Sequence, residues 1–579
     1  MTEDDNMKKT IYILALILAG AFMTSCIGDL NTKPLNPTDF IADNVYDDQE
    51  VTYLEGLSKI YFQFVSNDTK DLEVADGGAS ELIRAFWSAQ ETTTDEAKCA
   101  WIKDAWVRAL NTNTYSEAQN DATYAVYVRT IQGITLVNEY LRQTAPELLK
   151  QRGVSDELAA KIDGFRAEAR FLRAYFYWMA MDTFGDVPFT TEKDVLGMEF
   201  RPKQKPRAQI FKYVTDELES LLADDSDMPL AQSNYPRADK GSVAGLLVRL
   251  YLNAEVYTAP SDHSAKGTAE WEKAKQTCEK IFAMGYQLCP KYSDLFRGDN
   301  GENLQARNEF LFAASYDAQY TKSYGGTTYL LVASLEADEV SDSSMPTGVN
   351  AGWAGLRMPY EFIKTFFRPL TTPDYTSGKY LIGDNRADGL FHIEGRKESM
   401  NNGNLYDFKC GWVCRKFNNV PHDKKAEDFL DEAKNKAYSD IDFPLIRLGE
   451  IYLAYAEACL NISTSALEEA LPKVREIQKR ALDKVDEPFD AETVVTTSLV
   501  TKEWLRKERA RELYWEGHRR TDLIRYGLYH SGDYMWPYKG SDASTGKAFE
   551  EYMTVFAIPP TELAANDNLY QNYGYPYAK

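Results

Sequence analysis

The stretch FRAEARFLRAYFYWMAMDTFGDVPF, residues 165–189, constrains the fold more than any other part of the chain. Phe165, Leu172, Tyr175, Phe176 and Met179 recur at helical spacing, while Arg166, Arg170 and Arg173 line another face. That is the pattern of an amphipathic helix. Gly185 stops it, and Pro188 follows within a few residues. The theme repeats: KGSVAGLLVRLYLNAEVY (240–257) and WEKAKQTCEKIFAMGY (271–286) read as helix, turn, helix. FPLIRLGEIYLAYAEACL (443–460) reads as another helix, with Gly449, Ala454, Ala456 and Ala458 small enough for a neighbour to approach closely. A following helix through LEEALPKVREIQKRAL would pair with it.

Such pairs resemble tetratricopeptide (TPR) units, without a strict repeat of about 34 residues. The predicted fold is all-α, a superhelix of TPR-like helix pairs. Between about 290 and 440 the periodicity lapses into Gly, Asn, Asp, Ser and aromatic residues, as in SYGGTTYLLVAS and NAGWAGLRMPY. This predicts a large irregular, loop-rich lobe within a single body spanning 46–579. Irregular segments held on a rigid scaffold are where binding sites usually sit.

Composition narrows the function. With 65 basic and 88 acidic side chains the net charge is −23, which repels phosphate backbones and excludes a nucleic-acid partner. The 37 tyrosines suit surfaces that are apolar on one side and hydrogen-bonding on the other, or a half-exposed core. Seven cysteines show no paired C-x-x-C spacing; Cys410 and Cys414 have only His422 nearby, so no metal site is expected, and disulfides stay open. With five histidines and no H-E-x-x-H, G-x-S-x-G, Walker loop or G-x-G-x-x-G, the sequence carries no catalytic signature and implies no cofactor.

From Met7 the chain reads MKKTIYILALILAGAFMTSC: two lysines, an apolar run, then small residues before Cys26. This is a secretory signal, too short in its apolar part for a spanning helix of about 20 residues. The preceding MTEDDN places acids where a basic segment belongs, so translation is expected to start at Met7. Met23-Thr24-Ser25-Cys26 reads as a bacterial lipobox, making residues 1–25 a lipoprotein signal peptide and Cys26 the site of lipid attachment. The segment 26–45 reads as an extended tether.

Four blocks carry a family resemblance: the 165–189 stretch, DFPLIRLGEIYLAYAEA, RARELYWEGHRRTDLIRYG (509–527) and FAIPPTELAANDNLYQNYGY (556–575). With the lipobox, and in this order, they resemble the SusD/RagB family of outer-membrane lipoproteins. The resemblance implies TPR-like helix pairs bearing an irregular lobe, and no catalytic centre. It implies capture of a nutrient polymer, usually a glycan, at the outer cell surface, with delivery to a SusC-like TonB-dependent transporter beside other surface glycan-binding lipoproteins. In the 509–527 block, Glu512, Glu516, Arg519, Arg520 and Asp522 have the spacing of structural ion pairs. Nothing there argues for the two carboxyls flanking an open cleft that glycoside hydrolysis needs.

A pyranose presents a face of C–H groups and a rim of hydroxyls, so its binder needs aromatic faces beside planar hydrogen-bonding groups. The chain looks especially similar to the starch-binding branch of the family. That resemblance assigns Trp101 after Thr94-Asp95-Glu96, Tyr324 in YGGTTYL and Trp353 in NAGWAGL as ligand contacts. It adds Asp76 and Arg84 in DGGASELIR, which could instead pair with one another, and Asp104 where the branch carries Asn. Asp104 keeps an acceptor but loses a donor. Lys98, Lys103 and Asp104 suggest a solvated loop around Trp101; Trp106 reads as packing, and Asp95 and Glu96 as structural. The expected cargo is an α-glucan such as a maltooligosaccharide. The alternatives are another cargo (fructan, host glycan or peptide), a TPR scaffold that binds only the transporter, and, third, a hydrolase.

Overall fold

The computed structural model describes residues 49–67, 78–115, 120–194, 197, 199–336, 347–374, 379–381, 383–398, 407–482, 490–540 and 543–576. The leader, Cys26, the tether and Asp76 lie outside them. No helix among the described residues is long and apolar enough to cross a membrane.

The principal elements begin with α1 (Gln49–Tyr61), α2 (Leu82–Glu91), β1 (Lys98–Cys99), α3 (Ala105–Thr112), α4 (Asp121–Gln143) and α5 (Asp156–Phe184). Next come α6 (Arg207–Leu222), α7 (Lys240–Leu252), α8 (Trp271–Ala283), β2 (Phe310–Ala314), α9 (Gly326–Val332) and β3 (Leu356–Arg357). The chain continues through β4 (Phe443–Arg447), α10 (Leu448–Ile462), α11 (Thr464–Ala481), α12 (Lys502–Leu513) and α13 (Arg519–Arg525). Successive helices stack: α4 on α5, α5 on α6, α6 on α7, α7 on α8, α8 on α10 and α10 on α11. This is the expected TPR-like series, in which each helix buries its apolar face on the next.

Local chemistry explains the elements. Ser155 caps α5 through Leu158 N, and Gly185, at φ 71°, ends it. The arginine face of α5 latches its neighbours. Arg166 donates to the Leu141 carbonyl at 2.8 Å, Arg170 pairs with Glu217, and Arg173 reaches both Glu192 and Glu217. Among the described residues, strand is limited to five two-stranded antiparallel pairs. Between 290 and 440 the chain runs through short helices and strand pairs joined by turns. All six described cysteines are buried free thiols, and His422 pairs with Asp299 at 2.5 Å instead of with Cys410 or Cys414.

One helical expectation is corrected, and one block breaks where its charges gather. Residues 443–447 are strand, paired in register Phe443 with Ala314 and Arg447 with Phe310, and the helix begins only at Leu448. Pro444 has no N–H to extend a helical ladder, and β2 supplies a partner. The block RELYWEGHRR breaks after Leu513, with Trp515 at φ 62° and Gly517 at φ 81°. Its backbone groups are taken by distant side chains: Arg447 donates to the Glu512 carbonyl and Lys416 to that of Tyr514, while Trp515 N donates to Glu96. Satisfied this way, the chain can leave the helix without orphaning buried polar groups. Among the described residues Arg520 forms no ion pair; it donates to the Met553 carbonyl at 2.8 Å and stacks on Tyr529 and Phe556.

The break serves a buried charge network. Arg447 bonds Glu309 at 2.9 Å, Glu512 at 2.6 Å and Glu516 at 2.7 Å; Arg480 shares Glu309 and Glu512; Arg386 reaches Glu508 and Glu512; Lys416 closes on Glu516. Gly449 makes room for it, since a Cβ there would lie 2.8 Å from Glu512 Oε1 and 3.1 Å from Glu309 Oε1. Burial alone would raise the Glu512 carboxyl, but Arg480, Arg447 and Arg386 hold it down at about 2. A carboxyl depressed in the fold stabilises it above its unfolded pKa, and that stability is lost as pH falls through the folded value. Glu512→Gln is therefore expected to cost about 3–5 kcal/mol at neutral pH. In denaturant titrations the wild-type loss of stability between about pH 4.5 and 2 should shrink in the variant; an equally steep acid loss in both would contradict the assignment.

Candidate functional site

The site begins at the end of α2, where the three threonines of TTTDE stop the helix. Thr92, Thr93 and Thr94 hydroxyls donate to the carbonyls of Ser88, Ala89 and Glu91, at 2.5, 2.7 and 2.7 Å, adding side-chain bonds to the last carbonyls of the helix. Asp95 then forms a two-pronged pair with Arg519 at 2.8 and 2.9 Å, and Glu96 accepts the Trp515 amide. Trp87 Nε1 adds a bond to the Trp515 carbonyl at 3.0 Å. The segment leading to Trp101 is thus fastened to the connection between α12 and α13. Asp95 and Glu96 are structural.

Trp101 follows β1, half-buried, against the ring of Tyr329 on α9 at 6.1 Å and 58°. Ala100 N bonds the Gly355 carbonyl at 2.7 Å. Gly355 has φ 103°, and a Cβ there would collide with the Trp101 indole, so only glycine admits the ring. The surroundings of Trp101 differ from the solvated loop that the charges suggested. Lys98 is buried in β1, donates to the Asn111 carbonyl at 2.5 Å, and has its pKa lowered by burial to about 7. Lys103 and Asp104 are exposed, and Asp104 occupies the N-cap of α3 with no side-chain capping bond. Trp106 is half-buried against the main core.

A second group of rings forms an arc. Tyr324, 45% exposed, lies 5.8 Å from Trp353 at 53° and 4.9 Å from Tyr438 at 49°. The Trp353 turn is held along the end of α9: Trp353 N donates to Val332, Ala354 N to Leu335 and Leu356 N to Ala333. Ala354 and Gly355 both take positive φ, which turns the chain sharply under the tryptophan. Tyr438 was not foreseen from the sequence, because nothing local in KAYSD marks it and its meaning comes only from the ring it meets. Its phenol is raised by a hydrogen bond to Tyr324.

Arg84 lies against Tyr329, the ring that Trp101 also meets. It is buried, with its guanidinium 4.1 Å from the centroid of Tyr329. A Cβ at Gly78 would stand 2.5 Å from Arg84 Nη1 and 2.6 Å from the Tyr324 carbonyl oxygen, so Arg84 and Tyr324 flank the same glycine. Five of the six residues predicted for the site are described. Of these, Arg84, Trp101, Tyr324 and Trp353 are joined through Tyr329, Gly78 and Gly355, and Asp104 stands exposed three residues beyond Trp101.

Glu81 is the second residue that sequence reasoning missed. Its carboxylate accepts Arg84 N at 2.7 Å, Gly326 N at 3.0 Å and the Tyr316 hydroxyl. It ties the start of α2 to the Tyr324 loop. Its only sequence signal is an acid at the position before a helix, three residues ahead of Arg84.

Residues 284–575 match the profile described as the SusD family, and residues 72–252 match one described as "Starch-binding associating with outer membrane". The chain is 30% identical to the starch-binding protein SusD of Bacteroides thetaiotaomicron, over 98% of this chain and 99% of that protein. The chain belongs to the SusD family. That membership places it among binding proteins and not enzymes. Solved structures of the SusD superfamily share the fold. Surface glycan-binding protein A from Bacteroides fluxus superposes with TM-score 0.62 at 18% identity, covering 91% of this chain and 100% of that one. A laminarin-binding SusD-like protein gives 0.60 at 18% identity, with the same coverage.

The SusD-family site should depend on Glu81 for its shape. Glu81→Ala leaves buried donors without an acceptor, each costing about 1–3 kcal/mol. Hydrogen exchange should quicken at the Gly326 amide while the α7 amides stay protected; unchanged exchange at Gly326 would rule out the tie.

Proposed function

We propose that this SusD-family protein captures starch-like α-glucan at the cell surface and passes oligosaccharide to a SusC-like TonB-dependent outer-membrane transporter, alongside other surface glycan-binding lipoproteins. The observation that carries the reading is the tilt of the aromatic arc. Tyr438, Tyr324 and Trp353 meet at 49° and 53°, so successive rings form a bent surface. A coiled α-glucan can lay successive sugar faces on it, whereas a flat ribbon polymer meets one ring at a time. Identity to the Bacteroides thetaiotaomicron starch-binding protein along nearly the whole chain supports the same reading.

In this reading Trp101, Tyr324 and Trp353 hold sugar faces. Asp104 accepts from a hydroxyl, Arg84 backs the platform, and Asp76 pairs with Arg84 or meets the sugar. A shallow surface of this kind gives about −4 to −6 kcal/mol, millimolar to tens of micromolar, which repeated contacts along a polymer raise by avidity. The Asp104 carboxylate, exposed and uncapped where the starch-binding branch carries Asn, favours a second reading in which the role is kept and the cargo is another glycan.

Two experiments test this. In calorimetric titration with maltoheptaose, the triple variant Trp101→Ala, Tyr324→Ala, Trp353→Ala should lose measurable binding while keeping the wild-type circular-dichroism spectrum and a cooperative, if lower, melting transition. A wild-type protein that ignores maltooligosaccharides but retains another polysaccharide on an affinity gel would select the second reading. Anchoring is proposed through lipid on Cys26, with translation starting at Met7, residues 1–25 removed and 26–45 as the tether. Cys26→Ala should shift the protein out of the membrane fraction, and undiminished membrane retention would refute the anchor.

A further inference from the structure

A cavity of about 660 Å³ opens among the loop after α7, the start of α8, the end of α10 and the segment following α13. Its volume falls in the range of small-molecule sites, and none of the residues of the aromatic arc line it.

One wall is internally satisfied. Glu457 takes both prongs of Arg525 at 2.7 and 3.0 Å and the Tyr526 hydroxyl at 2.9 Å, and Arg525 also donates to Asn253 at 3.0 Å. These groups have fixed geometry and no charge to spare. The opposite wall has spare donors. Arg207 is 6% exposed, and its guanidinium donates to the Val256 carbonyl at 2.5 Å without forming an ion pair among the described residues.

The carboxylates nearest Arg207 are engaged elsewhere. Asp186 accepts Arg207's own backbone N–H, the Ser261 hydroxyl and the Tyr570 hydroxyl; Asp182 accepts from Gln90, Tyr257 and Thr521. Burial accordingly lowers the Arg207 pKa against their pull. A buried guanidinium without a counter-charge is costly. His530 lines the same cavity, with its Nδ1 buried away from the space and without a hydrogen-bond partner. His263 stands 3.7 Å from Glu551, and Lys266 and Lys502 are exposed at the rim. Lys266 stands 3.9 Å from Glu255, which also lines the cavity, so the unspent donors are those of Arg207, and they call for an anionic acceptor. Trp271, half-buried at the first turn of α8, adds an aromatic surface to the lining.

We infer that this cavity is a second ligand site, distinct from the aromatic arc, that takes a carboxylate-bearing sugar of the uronate class, with Arg207 holding the carboxylate and Trp271 the ring. The two-nitrogen edge of a guanidinium matches a carboxylate, and the aromatic face takes the C–H side of a pyranose. The carboxylate could arrive on a free acid or on a sugar, and the test separates them.

Ligand-observed NMR titrations of the full chain would use sodium glucuronate, glucose and sodium acetate. Glucuronate should saturate, glucose should not, and acetate should bind at least tenfold more weakly than glucuronate. Arg207→Gln should weaken glucuronate at least tenfold. Because Arg207 is buried, the paired surface variant Lys266→Glu, Lys502→Glu is a second arm, expected to weaken it several-fold with the melting temperature unchanged. The Trp101, Tyr324, Trp353 triple variant should leave glucuronate binding intact. Acetate binding as tightly as glucuronate would overturn the sugar assignment. No glucuronate saturation at millimolar concentration, or saturation indifferent to both charge variants, would overturn the site.

Discussion

The architecture depends on one buried cation. Arg447 ends β4 at the point where strand turns into helix, and its guanidinium gathers Glu309, Glu512 and Glu516 from separate parts of the chain. Arg480 on α11, Arg386 and Lys416 complete the balance. Charges taken this far from water are stable only when each is paired and its remaining hydrogen-bonding positions are filled. The network therefore acts as a coincidence requirement. The helical array, the β2–β4 pair and the irregular segments around 386 and 416 must all be in place before any one of these charges can be buried.

The same stretch of chain transmits order to the site. Glu512 and Glu516 give their side chains to Arg447 on either side of the helix break, and the backbone groups freed at the break are shared among distant partners. Trp87 Nε1 donates to the Trp515 carbonyl and the Trp515 amide donates to Glu96, while the Arg519 side chain pairs with Asp95. Trp101 is thus six residues from the buried Asp95–Arg519 charge pair. The rings rest on fixed supports, which limits the entropy a sugar must remove when it binds. The three threonines and two acids that precede Trp101 do no chemistry; they end a helix and fasten its continuation.

The two candidate ligand regions differ in physics. The aromatic arc is open, tilted and sparing in charge, suited to a long polymer held through many weak contacts. The cavity is walled and carries buried donors that its own acids do not satisfy, suited to one small anionic group. A net charge of −23 describes neither, because it averages over a surface on which Arg207 stands at the cavity wall without an ion pair among the described residues.

Much of the helical framework was legible in the sequence because it follows from local periodicity. The 165–184 pattern, its glycine stop, the 240–286 helices and the 464–481 helix all form where apolar spacing places them. The aromatic motifs after TDE, in YGGTTYL and in NAGWAGL were readable as short contiguous signals. What tertiary structure alone decided involves partners far apart in sequence. Residues 443–447 became strand because β2 lay alongside, and Lys98 was buried because Asn111 offered it a carbonyl. Arg84 sank beneath Tyr329, and Arg520 exchanged an expected ion pair for a carbonyl and two rings. Tyr438, Glu81 and Arg207 carried no local mark, since each takes its role from residues brought beside it by folding. Periodicity is written along the chain, whereas the satisfaction of a buried charge or the company of a ring is settled only when distant segments meet.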